Sequence, residues 1–206
     1  MQEVAVCIHG IWMTGLEMQV LRSHIAKCGF KTAQFRYRSL LSTPEENAAR
    51  LNQFLQNLEA DVVHLVAHSL GGLVVTHLFD QFPVQRPGRI VMLGTPLKGS
   101  ATAHAYHDFL PTRPLLGRST LRGLLGDRPR WKGVRELGMI AGDRGIGIGQ
   151  LTFGKLAKPN DGTVALDETR STEVNRHLTV PHSHFGMIYS KDVAAAVCHF
   201  LKEGEF

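Results

Sequence analysis

Residues 61–81 read DVVHLVAHSLGGLVVTHLFDQ, and this stretch decides the fold. From Val62 to Phe79 there are 18 residues without Asp, Glu, Lys or Arg, which touches the lower edge of membrane-spanning length. His64, His68, Ser69, Gly71, Gly72 and His77 interrupt the run, and a Gly-Gly pair among polar neighbours does not suit a span. A buried strand over Asp61–Ala67, turning at once into a buried helix from Leu70 to about Gln81, accounts for it better. At the turn stands Ala67-His68-Ser69-Leu70-Gly71-Gly72. A strand–turn–helix junction with small neighbours is the setting of a nucleophile elbow, G-x-S-x-G, in which a sharp turn pushes a serine hydroxyl into solvent. Ala67 occupies the place of the first glycine. The competing reading is a plain helix cap, since Ser is a common N-cap. A helix starting at Leu70 would aim its unpaired N–H groups and positive dipole end at Ser69, favouring negative charge there.

On either side of this junction, short apolar runs alternate with helical patterns. Glu3–Ile8, Lys31–Arg36, Arg89–Leu93, Glu136–Ala141 and Arg176–Val180 read as further strands. Leu16–Cys28 reads as a helix with Leu16, Val20, Leu21 and Ile25 on one face and Gly29 as its stop. Ser42-Thr43-Pro44-Glu45-Glu46 offers a capping hydroxyl, a first-turn proline and acids for a second helix through Leu58. Ser190–Lys202 reads as the last helix. Such alternation predicts an α/β fold: about six mostly parallel strands with helices on both faces. Leu97–Arg135, rich in Gly, Pro and Arg, breaks the pattern and reads as a lid-like insertion after the fourth strand. Gly142–Asp161 reads as a long loop. No repeat or linker divides residues 1–206, so a single domain is expected.

The net charge of +5 at pH 7 is concentrated. Seven basic residues and one acid, Asp127, fall between Arg113 and Arg135; without that segment the 23 basic and 18 acidic residues drop to 16 and 17. A nucleic-acid partner would want a basic face spread over the fold and is not expected. The segment also carries Leu110, Leu115, Leu116, Leu121, Leu124, Leu125 and Trp131 nearby. Peripheral contact with an anionic membrane surface through 97–135 is therefore one expectation; a packed lid with solvated arginines is the other. Cys7, Cys28 and Cys198 are odd in number and widely spaced, which suggests unpaired thiols in a reducing, cytoplasmic setting. MQEVAVCIHG is not expected to act as a signal peptide.

A serine needs a base, usually a histidine oriented by a carboxylate, and in this architecture the order is Ser, acid, His. Asp161, in Asn160-Asp161-Gly162, is a candidate acid beside Asp143, Asp167 and Glu168; its alternative is a simple Asp-Gly turn. His184, in His182-Ser183-His184-Phe185-Gly186, is a candidate base beside His182, His177 and His199. Both stretches follow strand ends, where open α/β sheets place ligands. His182 with His184, or His104 with His107, could pair as metal ligands, but no Cys, Asp or Glu cluster accompanies them, so no metal is expected. Two N–H groups for an oxyanion would come from Leu70 and, after the first strand, from Ile11 in Ile8-His9-Gly10-Ile11-Trp12. His9, Gly10, Trp12 and His68 flank them and are the candidate substrate contacts.

CIHGIW, AHSLGG, LGTPLKGS, NDGTV and HSHFGM occur in the order seen in α/β-hydrolase lipases and esterases, which the chain resembles from Val4 to about Leu201. The resemblance implies an α/β-hydrolase fold lacking the two leading strands of larger members. It implies Ser69 as nucleophile, Asp161 as acid, His184 as base, and Ile11 and Leu70 as oxyanion donors. It further implies a small-molecule or lipid ester as substrate and no cofactor. An acyltransferase with the same triad, or a non-catalytic binding protein of the same fold, are the other readings; oligomeric state stays open.

Overall fold

The apolar runs form six strands: β1 (Glu3–Ile8), β2 (Lys31–Phe35), β3 (Val62–His68), β4 (Ile90–Leu93), β5 (Leu137–Gly142) and β6 (Arg176–Val180). The computed structural model describes residues 2–146 and 156–206. All six strands lie parallel in one sheet of order β2-β1-β3-β4-β5-β6. Side chains of a strand alternate between faces, and here both faces are covered. Val4, Val6 and Ile8 of β1 join Val63, Leu65, Ala67, Ile90 and Met92 in one core. Ala5, Cys7, Val66, Val91 and Leu93 belong to the other. That is why β1, β3 and β4 carry apolar residues at consecutive positions rather than alternately.

Helices α2 (Pro44–Gln56), α3 (Leu70–Gln81) and α4 (Ala101–Asp108) supply residues to the first core. Helices α1 (Gln19–Lys27) and α5 (Lys191–Glu203) supply the second. Every residue of α3 from Leu70 to Phe79 is buried, which accounts for the absence of charge before Asp80. Among the described residues no helix is long and apolar enough to cross a membrane. The α2 start is as its sequence suggests. Thr43 Oγ1 accepts from Glu46 N, Glu46 Oε2 accepts from Thr43 N, both at 3.1 Å, and Pro44 opens the first turn. This reciprocal bonding satisfies two N–H groups that a helix start leaves over.

The start and the buried face of the first helix depart from expectation. The stretch Leu16–Cys28 opens with a 3₁₀ turn over Leu16–Met18 before α1. It buries Met18, Leu21 and Ile25 and leaves Leu16 and Val20 exposed, because the face that meets the sheet is displaced by the tighter first turn. Residues 97–135 carry α4 and a 3₁₀ segment, Arg113–Thr120, with no strand. They are packed into the first core through Leu97, Ala103, Tyr106, Leu116 and Leu124. The loop expected over Gly142–Asp161 lies partly outside the described residues.

The cysteine expectation is overturned. Cys28, capping α1, is bonded to Cys198 of α5, with Cα atoms 6.3 Å apart. Sequence spacing hid this pair because α1 and α5 lie side by side on one sheet face although 170 residues separate the cysteines. With Cys28 and Cys198 joined, the cysteines give no sign of a reducing compartment. Only Cys7 is free; it is buried, and burial pushes its thiol up to about 12. Closing so long a loop is expected to stabilise the fold by about 2–5 kcal/mol. Dithiothreitol should therefore lower the urea midpoint of the wild type and leave that of Cys28→Ser/Cys198→Ser unchanged. Equal wild-type midpoints with and without reductant would show that the bridge contributes nothing.

Candidate active site

Because all strands run the same way, the segments leaving β1, β3, β4, β5 and β6 emerge at one edge of the sheet. Ser69 sits there between β3 and α3 with φ 54° and ψ −122°. A non-glycine residue in such a conformation costs about 1–3 kcal/mol and persists only where its surroundings enforce it. They do: Ser69 N donates to Leu93 O at 2.8 Å, and Thr95 Oγ1 donates to Ser69 O at 2.9 Å. The two glycines that follow are needed for close approach. A Cβ on Gly71 would lie 2.6 Å from Ile8 O, and one on Gly72 would lie 2.2 Å from Thr95 Oγ1. Ala67, by contrast, packs its methyl into the first core. Ser69 makes no side-chain cap bond to α3, so the helix-cap reading does not describe it.

The acid and base candidates are sorted by their partners. His184 Nδ1 lies 2.6 Å from Asp161 Oδ2, and both residues are buried. Asp161 Oδ1 accepts from Thr163 N at 2.9 Å and Val164 N at 2.7 Å. His184 N donates to Asp161 O at 2.8 Å, tying the two loops together. The rivals are occupied elsewhere. Asp167 pairs with Lys98, and Glu168 accepts from the N–H groups of Ala101 and Ala165. His177 meets Thr169, and His199 is exposed on α5. His182 Nε2 meets Ser190 Oγ, the cap of α5. His104 bonds to Leu125 O and His107 faces Asp108. Among the described residues no group of three or more His, Cys, Asp or Glu could hold a metal.

The residues flanking Ser69 divide into two sets. Ile11 and Trp12 line a small cleft together with Ser69. Gly10 packs beneath it, where a Cβ would lie 3.1 Å from Ser69 Cβ. Leu70 opens α3, and the first N–H groups of a helix have no intrahelical acceptor. His9 and His68, however, turn inward. His9 is fully buried, its Nδ1 donating to Gly10 O at 2.8 Å and its Nε2 accepting from Tyr37 N at 3.3 Å, with its ring stacked on Tyr37. His68 Nε2 donates to His184 O at 3.1 Å, and its ring packs 4.7 Å from that of His184. Both brace the loops that carry the site. Tyr37 OH donates to His9 O at 2.7 Å, Thr95 holds Ser69 O, and Gly94 leaves room for the His184 ring, which a Cβ there would meet at 3.0 Å; their neighbours in sequence carry little sign of it. Only LGTP after β4 hinted at the last two. A larger hollow of about 470 Å³ lies at the opposite edge, around His64 and Arg89, without a serine or free cysteine in its lining.

Burial holds the His68 imidazole well below the ordinary histidine range, with the nearby His184 adding to the effect; burial also lowers His9. Both take up a proton less readily in the folded protein than in the unfolded chain. Below about pH 6.5 the unfolded chain binds protons that these folded residues refuse, so stability falls as the pH falls. Each such histidine costs up to about 1.4 kcal/mol per pH unit in that range. We expect urea midpoints to drop between pH 7.5 and 5.5. A midpoint that stays level across that range would contradict it.

A parallel six-stranded sheet with this strand order, flanked by helices and carrying a strained serine after β3, is an α/β-hydrolase fold. Solved structures agree. A lipase of Bacillus licheniformis in its mature form is similar at 18% identity over 98% of this chain and 91% of that one, with a TM-score of 0.77. A metagenomic carboxyl esterase is similar at 18% identity, covering 98% and 76%, with a TM-score of 0.75. An extracellular alpha/beta-hydrolase from a Paenibacillus species is similar at 16%, covering 96% and 97%, with a TM-score of 0.62. At these identities the likeness establishes the fold. No curated protein matches the sequence. The chain belongs to the family described as "Domain of unknown function (DUF7379)", which matches residues 7–112.

Proposed function

We propose that the protein is a serine hydrolase that cleaves carboxylic esters through an acyl-enzyme on Ser69. The observation that carries this reading is the buried His184–Asp161 pair at the sheet edge where Ser69 is held at positive φ. With its Nδ1–H bound to Asp161, His184 has Nε2 left to accept the Ser69 proton. Ser69 Oγ then attacks the ester carbonyl, and the N–H groups of Ile11 and Leu70 bind the developing oxyanion. Collapse of the tetrahedral intermediate expels the alkoxide, which takes the proton from His184. Water repeats the sequence on the acyl-enzyme, releasing the acid and restoring Ser69. Asp161 fixes the tautomer of His184 and stabilises its charged form.

Ester cleavage is also what the names of the lipase and the carboxyl esterase among the similar structures describe. No group in the mechanism requires a metal or organic cofactor. The test is covalent. A fluorophosphonate probe should label wild-type protein at Ser69, and nitrophenyl acetate should be hydrolysed with an initial burst of nitrophenol. A protein labelled elsewhere, or not at all, would exclude this function.

A further inference from the structure

Residues 97–135 form one wall of the cleft beside Ser69. It is lined by Ile11, Pro96, Ala103, Leu116, Leu124 and Val164, with Tyr106 and Thr163 beside them. The space into which the centre of a water-sized group fits is about 30 Å³. One such group needs about 10–15 Å³, so the narrow part of the cleft beside Ser69 has room for two or three non-hydrogen atoms. Leu116 and Leu124 form its wall and are themselves buried.

That wall is fastened to the body of the protein. Arg118 Nη2 pairs with Glu46 at 2.8 Å and Arg122 Nη1 with Glu45 at 3.1 Å, both acids in the first turn of α2. Arg118 N donates to Leu40 O at 2.9 Å, and Ser100 N donates to Leu124 O at 2.8 Å. Trp12 Nε1 donates to Leu115 O at 2.7 Å, joining the wall to the loop after β1. Asp127 accepts from the N–H groups of Arg122 and Gly123, each at 2.9 Å. Further along, Arg128 pairs with Glu173 and Lys132 with Asp80. Four of the segment's cations, Arg118, Arg122, Arg128 and Lys132, thus pair with acids of other segments.

From this we infer that residues 97–135 are a fixed specificity wall, and that the enzyme takes esters of short acyl chains, two to four carbons long, with Leu116 and Leu124 setting the limit. The inference rests on Ser69 being the acylated residue, since the cleft is an acyl site only if the acyl group is joined there. A longer chain would have to displace packed leucines. An apolar pocket discriminates by about 10–200-fold for one methylene it has no room for.

The experiment compares nitrophenyl acetate, butyrate, hexanoate and octanoate on wild type, Leu116→Ala, Leu124→Ala and the milder Leu116→Val. The readout is the ratio of kcat/KM for octanoate to that for acetate within each preparation, which does not depend on the folded fraction. Wild type should show a fall of at least about 10-fold from butyrate to hexanoate. The ratio should rise at least about 10-fold in Leu116→Ala or Leu124→Ala, and by less in Leu116→Val. Wild type that cleaves octanoate as fast as acetate, or ratios unmoved in all three variants, would overturn the inference while leaving the Ser69 reading intact. Absence of turnover on every ester, together with absence of fluorophosphonate labelling, would overturn both.

Discussion

Ser69→Ala is expected to lower kcat by about 10⁴–10⁶, the range seen when a triad serine is removed, with the thermal midpoint changed little. The alanine loses one hydroxyl and keeps the same enforced φ of 54°, so the strain remains and the chemistry goes. Ser69→Gly separates the two. Glycine adopts positive φ without a Cβ clash, so it should relieve part of a strain of about 1–3 kcal/mol while being equally inactive. An inactive variant more stable than wild type is the signature of a residue held strained for function. The measurement is turnover of nitrophenyl acetate with urea unfolding on all three proteins. Residual activity above a tenth of wild type in Ser69→Ala would remove Ser69 from the mechanism. A Ser69→Gly protein less stable than Ser69→Ala would show that the backbone there carries no relievable strain.

The strands were readable because a sheet covered on both faces demands apolar residues at consecutive positions, and EVAVCI, VVHLVAH and IVML satisfy that locally. The turn holding Ser69 was readable for a similar reason: Gly71 and Gly72 are dictated by carbonyl and hydroxyl groups less than 3 Å from where a Cβ would stand. What could not be read arises from contacts between distant segments. Cys28 and Cys198 meet only because α1 and α5 share a face. The arginines of 97–135 read as a surface charge run, but nothing local shows that Arg118 and Arg122 reach acids in the first turn of α2, more than 70 residues earlier. His68 adjoins the serine in sequence, which suggests a substrate contact, but its ring is turned onto the His184 loop. Sequence adjacency does not say which way a buried imidazole points; its hydrogen-bond partner does.

The histidine loop supplies the second large effect. His184→Ala should lower kcat by a factor comparable to that of Ser69→Ala, since base and nucleophile act as a unit. His182→Ala should cost less than about 10-fold, because His182 meets the Ser190 hydroxyl and not Asp161; Ser190 keeps its cap bond to Val193 N, so the stability loss is that of one hydrogen bond, about 0.5–1.5 kcal/mol. Asp161→Asn tests the arrangement more sharply. In the wild type Oδ1 is fixed by the N–H groups of Thr163 and Val164, and Oδ2 faces His184 Nδ1. An asparagine keeps its single oxygen where the two backbone donors require it, and so turns its NH₂ toward Nδ1. His184 must then accept at Nδ1 and carry its proton on Nε2, the nitrogen that has to receive the serine proton. The fold should survive, because every backbone bond in the loop is retained, while kcat falls by about 10⁴, as expected for the wrong tautomer. A His182→Ala loss exceeding that of His184→Ala would exchange the roles of the two histidines. An Asp161→Asn protein within about 10-fold of wild type would show that the carboxylate does not control the tautomer at all.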